Sequence, residues 1–275
     1  MRPRLVALDL DGTLLRTDRT VSQRTLDVLA AARRAGVETV LATARSPRGT
    51  IPIAEELRVG GVAVCANGAT IFDLDERVIV RHRPLPAATA HRLVRELRAA
   101  VPGIAFGWEL ELRFGSEPAY EAQREPGWWP RPDDAFPPVD ALDWDAPMTK
   151  LIGRLPGADL HEVLATARAI AGADAEATLA GEAFVELLAP GVGKAEALAA
   201  LAAERGISSD EVVAFGDHVT DAGMLAWAGH GVAMANAHPV ALEAADELAP
   251  SNDEDGVAQV LERLLASPAR PTAPR

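Results

Sequence analysis

The sequence predicts an α/β fold, in which a parallel sheet is covered by helices and a separate α+β module is inserted. Apolar runs typical of buried strands alternate with helical patterns at the start of the chain, and this alternation resumes near residue 190. Between about residues 83 and 189 the pattern changes to a different mixture of strands and helices. The 275 residues are enough for one large α/β domain or two smaller ones.

The first part of the chain contains three strand-then-helix units, which predict parallel strands joined by right-handed crossovers. Thr20 or Ser22 can cap the first helix, and Gly36 ends it. Two further strands after Asn67 are expected to form a small hairpin. The predicted elements are the apolar strand from residue 5, helix 20–34, strand 37–42, a short helix near 52–57, strand 62–66, and the hairpin strands 69–73 and 78–80.

The middle segment holds four of the five tryptophans, which are Trp108, Trp128, Trp129 and Trp144. We expect Trp108 to pack in the interior of the module, whereas Trp128 and Trp129 lie in a Pro-rich stretch and are either exposed or packed. The predicted elements are helix 87–100, strand 104–112, irregular chain over 117–147, strand 150–155, helix 160–171, and strands 176–179 and 184–188.

The last part of the chain returns to the alternating pattern of the first. The predicted elements are helix 194–205, strand 211–215, helix 222–228, strand 231–234, helix 238–245, strand 247–250 and helix 256–265. The domain prediction is therefore a core formed by 1–82 and 190–266 and an inserted domain formed by 83–189. Residues 267–275 have no apolar pattern and are expected to be disordered.

Composition excludes several classes of function. The formal net charge of −13 opposes binding to nucleic acid or to an anionic membrane, because both depend on basic surfaces. Cys65 is the single cysteine, so no intramolecular disulfide can form, and its apolar neighbours predict a buried thiol. No apolar run is long enough to cross a bilayer and no charged-then-apolar leader precedes the first strand, so we expect a soluble cytoplasmic protein.

The most informative motif is Asp9-Leu10-Asp11-Gly12-Thr13, which follows the first apolar strand. Ligands of open α/β sheets bind at the carboxyl ends of the strands. Two carboxylates placed there repel each other unless a cation offsets their charge, and Mg²⁺ prefers such oxygen ligands. Gly12 allows a sharp turn that brings its N–H close to the site. The alternative is a strand followed by an ordinary turn that holds two acids.

Three further loops carry polar residues at equivalent places. Thr43 and Arg45 follow the second strand, Lys194 opens a helix, and Asp217 and Asp221 follow the strand at 211–215. Four carboxylates, one ammonium and one hydroxyl around a point suit phosphoryl transfer. Arg45 is either a surface charge or a contact to the substrate or to the inserted domain.

Three other polar groups are open to more than one interpretation. Asn67 is at least part of a turn, His218 is either near the metal or solvated, and Glu186 lies in a cleft, at a hinge or on an edge strand. A nucleotide-binding P-loop around Lys194 is excluded, because Leu188 and Ala195 occupy positions that need Gly and Ser or Thr.

This ordered series of motifs resembles the haloacid dehalogenase superfamily, and in particular its Cof-type phosphatases with a large α/β cap. The resemblance covers nearly the whole chain except its tail. It rests on Asp9-Leu10-Asp11-Gly12-Thr13, Thr43, Asn67-Gly68-Ala69, Gly191-Val192-Gly193-Lys194, Gly216-Asp217 with Asp221, Gly231-Val232-Ala233-Met234-Ala235-Asn236-Ala237, and Asn252-Asp253-Glu254-Asp255-Gly256-Val257. It implies a Rossmann-like core, with the middle segment as the cap.

The resemblance also implies a role for each matching residue. Asp9 would be the nucleophile, and Asp11 would protonate the leaving oxygen and later accept a proton from water. Mg²⁺ would be held by Asp9, the backbone carbonyl of Asp11 and Asp217, with support from Asp221. Thr43 would hydrogen-bond the phosphoryl group, Lys194 would pair with Asp9 and with the transferring phosphate, and Asn67 would face the active site. From their positions in the chain, Gly12 is a further candidate for phosphate binding and Arg45 for the substrate side of the site.

Three residues depart from the commoner family pattern. Thr220 stands where Asn is usual, and Ala44 and Ala195 stand where Gly is usual. None of these changes removes a group of the expected site, so we expect an active Mg²⁺-dependent phosphatase that hydrolyses a small phosphomonoester. The alternatives are a phosphotransferase or mutase with the same intermediate, or a non-catalytic regulator that binds metal or phosphate. A monomer or weak homo-oligomer is expected, with no nucleic-acid or membrane partner.

Overall fold

The computed structural model describes residues 3–123, 135–180 and 184–266 of the chain. Two compact units are formed, one from Met1–Val80 with Gly193–Arg275 and one from Arg81–Val192. We call them the core unit and the inserted unit. Trp128, Trp129 and the tail 267–275 lie outside the described residues.

The core unit begins with alternating strands and helices. They are β1 (Leu5–Leu8), α1 (Gln23–Arg34), β2 (Glu38–Ala42), α2 (Pro47–Leu57), β3 (Val62–Cys65), β4 (Thr70–Asp73) and β5 (Val78–His82), the last two residues of β5 being counted in the inserted unit. The inserted unit follows, with α3 (Ala87–Ala100), β6 (Ala105–Leu110), β7 (Arg113–Ser116), α4 (Pro118–Ala122), β8 (Lys150–Arg154), α5 (Leu160–Ala171), β9 (Glu176–Ala180) and β10 (Phe184–Leu188). The core unit then resumes with α6 (Lys194–Glu204), β11 (Val212–Gly216), α7 (Ala222–Trp227), β12 (His230–Met234), α8 (Pro239–Ala244), β13 (Glu247–Ala249) and α9 (Gly256–Ala266).

The described strands of the core unit form one sheet in the order β13-β12-β11-β1-β2-β3-β4-β5. The pairs from β13 through β3 are parallel, whereas β4 runs antiparallel to β3. All four residues of the central strand β1 are buried, as expected for a parallel strand covered on both faces. Leu5 and Ala7 of this strand cluster with apolar residues of α6, α7 and α8. This packing fixes β1, from which the first motif emerges.

The inserted unit is built on an antiparallel sheet with the order β7-β6-β8-β10-β9. One face of this sheet packs against α3 and α5, and Trp108 lies fully buried in that core, as predicted. Glu186 lies on β10 between two neighbouring strands, so the edge-strand interpretation of this residue is wrong. Its Oε1 accepts a hydrogen bond from the buried Lys150 ammonium at 2.5 Å.

Several predicted boundaries move for identifiable reasons. Helix α1 begins at Gln23 because the Ser22 side chain accepts the Thr25 N–H and caps it. Helix α2 begins at Pro47 rather than near Pro52, since a proline is well accommodated at the first helical position. The single strand predicted over 104–112 is a hairpin, whose turn has a left-handed residue, Glu111, instead of the usual glycine or asparagine.

No helix within the described residues is long and apolar enough to cross a membrane. Cys65 is fully buried, as its apolar neighbours predict.

Candidate active site

The carboxyl ends of adjacent parallel strands bring the first and last motifs together. Asp9 follows β1 directly, Thr43 follows β2, and Asp217 follows β11. Because β1 lies between β2 and β11 in parallel register, these three residues leave the sheet at the same edge. Thr43 and Asp217 therefore belong to one site, although they are 174 positions apart in the chain.

A buried lysine links two of the carboxylates. Lys194 is the first residue of α6, and its Nζ donates to Asp9 Oδ1 and to Asp221 Oδ1, at 2.6 Å in both cases. All three side chains are buried. Burial alone would lower the pKa of Lys194, but the charges of Asp221 and Asp9 outweigh it and raise that pKa. The ammonium is thus held in its charged form between two carboxyl groups.

Asp221 orients the loop that carries Asp217. Its Oδ2 accepts the backbone N–H groups of Asp217 and His218, at 3.1 and 2.8 Å. The Thr13 hydroxyl donates to Asp217 Oδ1 at 2.6 Å. Asp221 therefore uses both oxygens to position its neighbours, while Thr13 orients the carboxylate of Asp217.

The site carries more negative than positive charge. One carboxylate oxygen each from Asp9, Asp217 and Asp221 lie within 4.8 Å of one another. Burial raises the pKa of Asp9 well above its ordinary value; Lys194 opposes this shift, and Asp221 and Asp217 reinforce it. Burial and the charge of Asp221 raise the pKa of Asp217 to about 6. Hard carboxylate oxygens with an excess of buried negative charge fit a divalent cation.

Asp11 points to a different partner. Its two carboxylate oxygens accept hydrogen bonds from Arg45, from Nε at 2.6 Å and from Nη2 at 2.5 Å. This is the two-point geometry that planar guanidinium groups make with carboxylates. The Asp11 side chain is about half exposed, whereas that of Arg45 is largely covered. The structure therefore places Arg45 on Asp11, a partner that the sequence did not indicate.

The proximity of the Asp217 side chain requires a glycine at position 12. Its φ of +82° lies in the left-handed region, and a Cβ at this position would overlap Oδ2 of Asp217. Its carbonyl accepts a hydrogen bond from Asn236 Nδ2 at 2.8 Å. Asn252 continues this network, because its N–H donates to Asn236 Oδ1 at 3.1 Å and its Nδ2 donates to the Leu15 carbonyl at 2.9 Å.

Thr43 is held by the loop that follows β3. Its carbonyl accepts the Asn67 N–H at 3.0 Å, and its hydroxyl oxygen accepts the Arg45 N–H at 3.1 Å. Since a hydroxyl can accept and donate together, the Thr43 O–H keeps its proton for a further acceptor. Asn67 is buried next to it, with a left-handed φ of +53°.

Sequence reasoning missed Thr13, Asn236 and Asn252 as functional residues. Thr13 is the last residue of the motif that begins at Asp9, so a polar residue directly after Gly12 was the available signal. Asn236 and Asn252 lie in the motifs 231–237 and 252–257, but nothing in their spacing shows that they contact the carbonyls of Gly12 and Leu15. His218 is half-buried, and its ring Nδ1 lies 3.4 Å from the Thr220 hydroxyl.

Comparison with known proteins identifies the family. A model of the haloacid dehalogenase-like hydrolase family matches residues 6–261. The chain belongs to this family, so the recognition made from its motifs and the predicted fold class are confirmed. The predicted enzyme class, a phosphatase, is confirmed as well by the relatives that follow.

Two curated relatives and one solved structure illustrate the similarity. Pyridoxal phosphate phosphatase YbhA of Escherichia coli (strain K12) is 27% identical over 271 residues, which cover 95% of this chain and 98% of that protein. The 5-amino-6-(5-phospho-D-ribitylamino)uracil phosphatase YcsE of Bacillus subtilis (strain 168) is 28% identical and covers 94% of each chain. A haloacid dehalogenase-like hydrolase from Bacteroides thetaiotaomicron superposes with a TM-score of 0.79 at 27% identity, over 96% of this chain and 100% of that one.

Proposed function

We propose that this protein is a Mg²⁺-dependent phosphatase that hydrolyses a small phosphomonoester through an aspartyl-phosphate on Asp9. The observation that carries this proposal is the buried Asp9 carboxylate, held by Lys194 at 2.6 Å beside Asp217 and Asp221. A carboxylate nucleophile has to be oriented and must approach an anionic substrate. A lysine and a cation at the same carboxylate meet both needs.

In the first step an oxygen of Asp9 forms a bond to phosphorus while the bond from phosphorus to the ester oxygen breaks. Lys194 and the Thr43 hydroxyl donate hydrogen bonds to the phosphoryl oxygens. Asp11 transfers its proton to the departing oxygen. In the second step water attacks phosphorus, Asp11 accepts the proton from that water, and Asp9 is released with inorganic phosphate.

Asp11 cannot protonate a leaving group while both of its oxygens are held by Arg45. We therefore propose that Asp11 leaves Arg45 when the substrate enters and returns to it between turnovers. This role differs from the surface charge and from the substrate or inserted-domain contact that the position of Arg45 in the sequence left open.

The cation would be held by Asp9, the backbone carbonyl of Asp11 and Asp217. Bound there, Mg²⁺ would offset the charge of the carboxylates and of the phosphoryl group. Asp221 would support it through the loop that it orients, since both of its oxygens already accept hydrogen bonds.

The substrate class is proposed from the relatives. Their names describe phosphatases for pyridoxal phosphate and for a ribitylaminouracil phosphate, which share little except a small size and a phosphomonoester. We propose a small-molecule phosphomonoester for this chain too. The assignment of the inserted unit as a cap and the monomeric or weakly oligomeric state stay predictions.

The test is phosphate release from a panel of small phosphomonoesters, with and without Mg²⁺. The wild type is compared with Asp9→Asn and with Asp27→Asn, which removes an exposed carboxylate from α1 as a matched control. We expect release that requires Mg²⁺, is lost in Asp9→Asn and is unchanged in Asp27→Asn. Trapping of labelled phosphate on the wild-type protein, but not on Asp9→Asn, would identify the covalent intermediate.

Other outcomes contradict the proposal. Consumption of ester without an equal release of phosphate would indicate transfer to a second hydroxyl. No consumption of any ester by folded, Mg²⁺-loaded protein would favour a binding protein. Undiminished release by Asp9→Asn would exclude Asp9 as the nucleophile.

A further inference from the structure

Three consecutive residues after β3 adopt left-handed backbone conformations. The φ angles are +49° at Ala66, +53° at Asn67 and +100° at Gly68, and all three residues are buried. For alanine and asparagine this conformation is unfavourable, so the surrounding structure must hold it in place. We call the segment 66–68 the left-handed turn.

One side of the left-handed turn holds the loop after β2. The Ala66 N–H donates to the Arg45 carbonyl at 2.8 Å, and the Asn67 N–H donates to the Thr43 carbonyl at 3.0 Å. These bonds require the N–H groups to point back toward β2, and the left-handed conformation of the turn provides that direction. The position of Thr43 is therefore coupled to the turn.

The other side of the left-handed turn contacts the start of α6. A Cβ at Gly68 would overlap the carbonyl oxygen of Gly193, and it would lie 2.8 Å from that carbonyl carbon and 3.2 Å from Ala197 Cβ. The same Gly193 carbonyl accepts the Ala197 N–H at 3.1 Å, which is a hydrogen bond of the first helical turn. Only glycine allows the backbone of the turn to come this close to α6.

Lys194 is the next residue after Gly193, and its ammonium reaches two carboxylates at 2.6 Å. A side chain at residue 68 would displace the backbone that carries Lys194. Because charged hydrogen bonds of this kind depend on geometry, a small displacement weakens both of them.

We propose that Gly68 is a positioning residue for Lys194. This inference rests on the proposed function, because it assigns Lys194 to phosphate binding.

The test compares Gly68→Ala with Gly61→Ala. Gly61 has a similar positive φ of +80°, but a Cβ there would meet no atom of the described residues within 4 Å. Both substitutions strain the backbone, and only Gly68→Ala presses on α6. We expect the kcat of phosphate release to fall on the order of 100-fold in Gly68→Ala and to stay within about twofold of wild type in Gly61→Ala, because small misplacements of binding groups have effects of that size.

A double-mutant cycle, measured on phosphate binding, shows whether Gly68 acts through Lys194. The dissociation constant of inorganic phosphate is measured calorimetrically, with Mg²⁺ present, for wild type, Gly68→Ala, Lys194→Met and the double variant. We expect Gly68→Ala to weaken binding about tenfold or more in the wild-type background and less than about twofold in the Lys194→Met background. A general structural defect would weaken binding equally in both backgrounds.

If Gly68→Ala is recovered only as unfolded protein, Ala197→Val replaces it, because a larger side chain there presses on the same contact from the helix. We then expect a smaller loss of kcat and of phosphate affinity, and the loss of affinity again disappears in the Lys194→Met background. An active wild type with Gly68→Ala as active as Gly61→Ala, or with equal effects in both backgrounds, overturns the positioning role alone. A wild type that releases no phosphate contradicts the proposed function instead.

Discussion

Replacing Asp217 by asparagine should change how stability depends on pH when no divalent cation is present. In the folded protein burial and the charge of Asp221 raise the pKa of Asp217 from 3.8 to about 6. A carboxyl whose pKa is higher in the folded state binds its proton more tightly there, so stability is lost as pH rises through about 6. This pKa difference of about 2.2, at about 1.36 kcal/mol per pKa unit, corresponds to about 3 kcal/mol of folding stability, which is lost between about pH 4 and pH 7.

The Asp217→Asn variant lacks this ionisation and should not lose that stability. Its amide oxygen can still accept the Thr13 hydroxyl, which the wild-type carboxylate accepts at 2.6 Å. We expect the free energy of unfolding of the variant, relative to wild type, to rise by about 3 kcal/mol from about pH 4 to about pH 7. The measurement is urea unfolding of both proteins in a chelating buffer, with the exposed Asp27→Asn as control.

Added Mg²⁺ should reverse the comparison at neutral pH, since a cation that binds only the folded wild type stabilises it by mass action. A difference between variant and wild type that stays constant from about pH 4 to pH 7 would refute the reasoning, because it would mean that Asp217 titrates normally in the folded chain. The same pH dependence of the unfolding free energy in Asp27→Asn, relative to wild type, would also refute the reasoning, because it would show that the effect does not come from the buried cluster.

The remaining predictions concern single contacts. Lys194→Met should lower the free energy of unfolding by about 3–5 kcal/mol in metal-free urea titrations, because it leaves buried carboxylates without their cation; an unchanged midpoint would contradict this. Gly12→Ala should lose activity on the order of 100-fold in phosphate-release assays, since its Cβ overlaps Asp217; full activity would show that the loop moves freely. Asn236→Ala should cost about 1–2 kcal/mol in urea unfolding and reduce kcat, because it removes a hydrogen bond to the Gly12 carbonyl, whereas an effect on KM alone would argue against a positioning role. Trp108→Ala should destabilise the inserted unit by about 3–5 kcal/mol in calorimetry by opening a cavity, and a stability within error of wild type would show that the core collapses around it.

Much of the fold followed from local patterns. The apolar runs that became β1 and β11 are buried along their whole length, and such runs are distinctive in any sequence. The hairpin turn at Glu111 was missed because its left-handed residue is stabilised by the antiparallel pairing of β6 and β7 and not by a local glycine. The predicted start of α2 is wrong because Pro47 and Pro52 are both compatible with a helix start; the structure has Pro47 at the first position and Pro52 inside the helix.

The acidic motif and the basic residue opening α6 could be identified as a candidate site because their types are unusual at the ends of apolar segments. Their partners could not be identified in this way. That Arg45 holds Asp11 and that Asn236 reaches the Gly12 carbonyl both depend on directions of side chains. Sequence spacing carries no information about such directions between distant segments.

The sequence by itself determined the fold class, the family and the residue types of the site, because periodic burial and short motifs are local properties of the chain. Only the tertiary structure decided that Lys194 also contacts Asp221, that Asp11 pairs with Arg45, and why residues 12 and 68 must be glycine. The physical reason is that these facts are distances of a few ångströms between segments far apart in the chain. Such distances are set by the packing of β1, β11 and α6, and not by any segment alone.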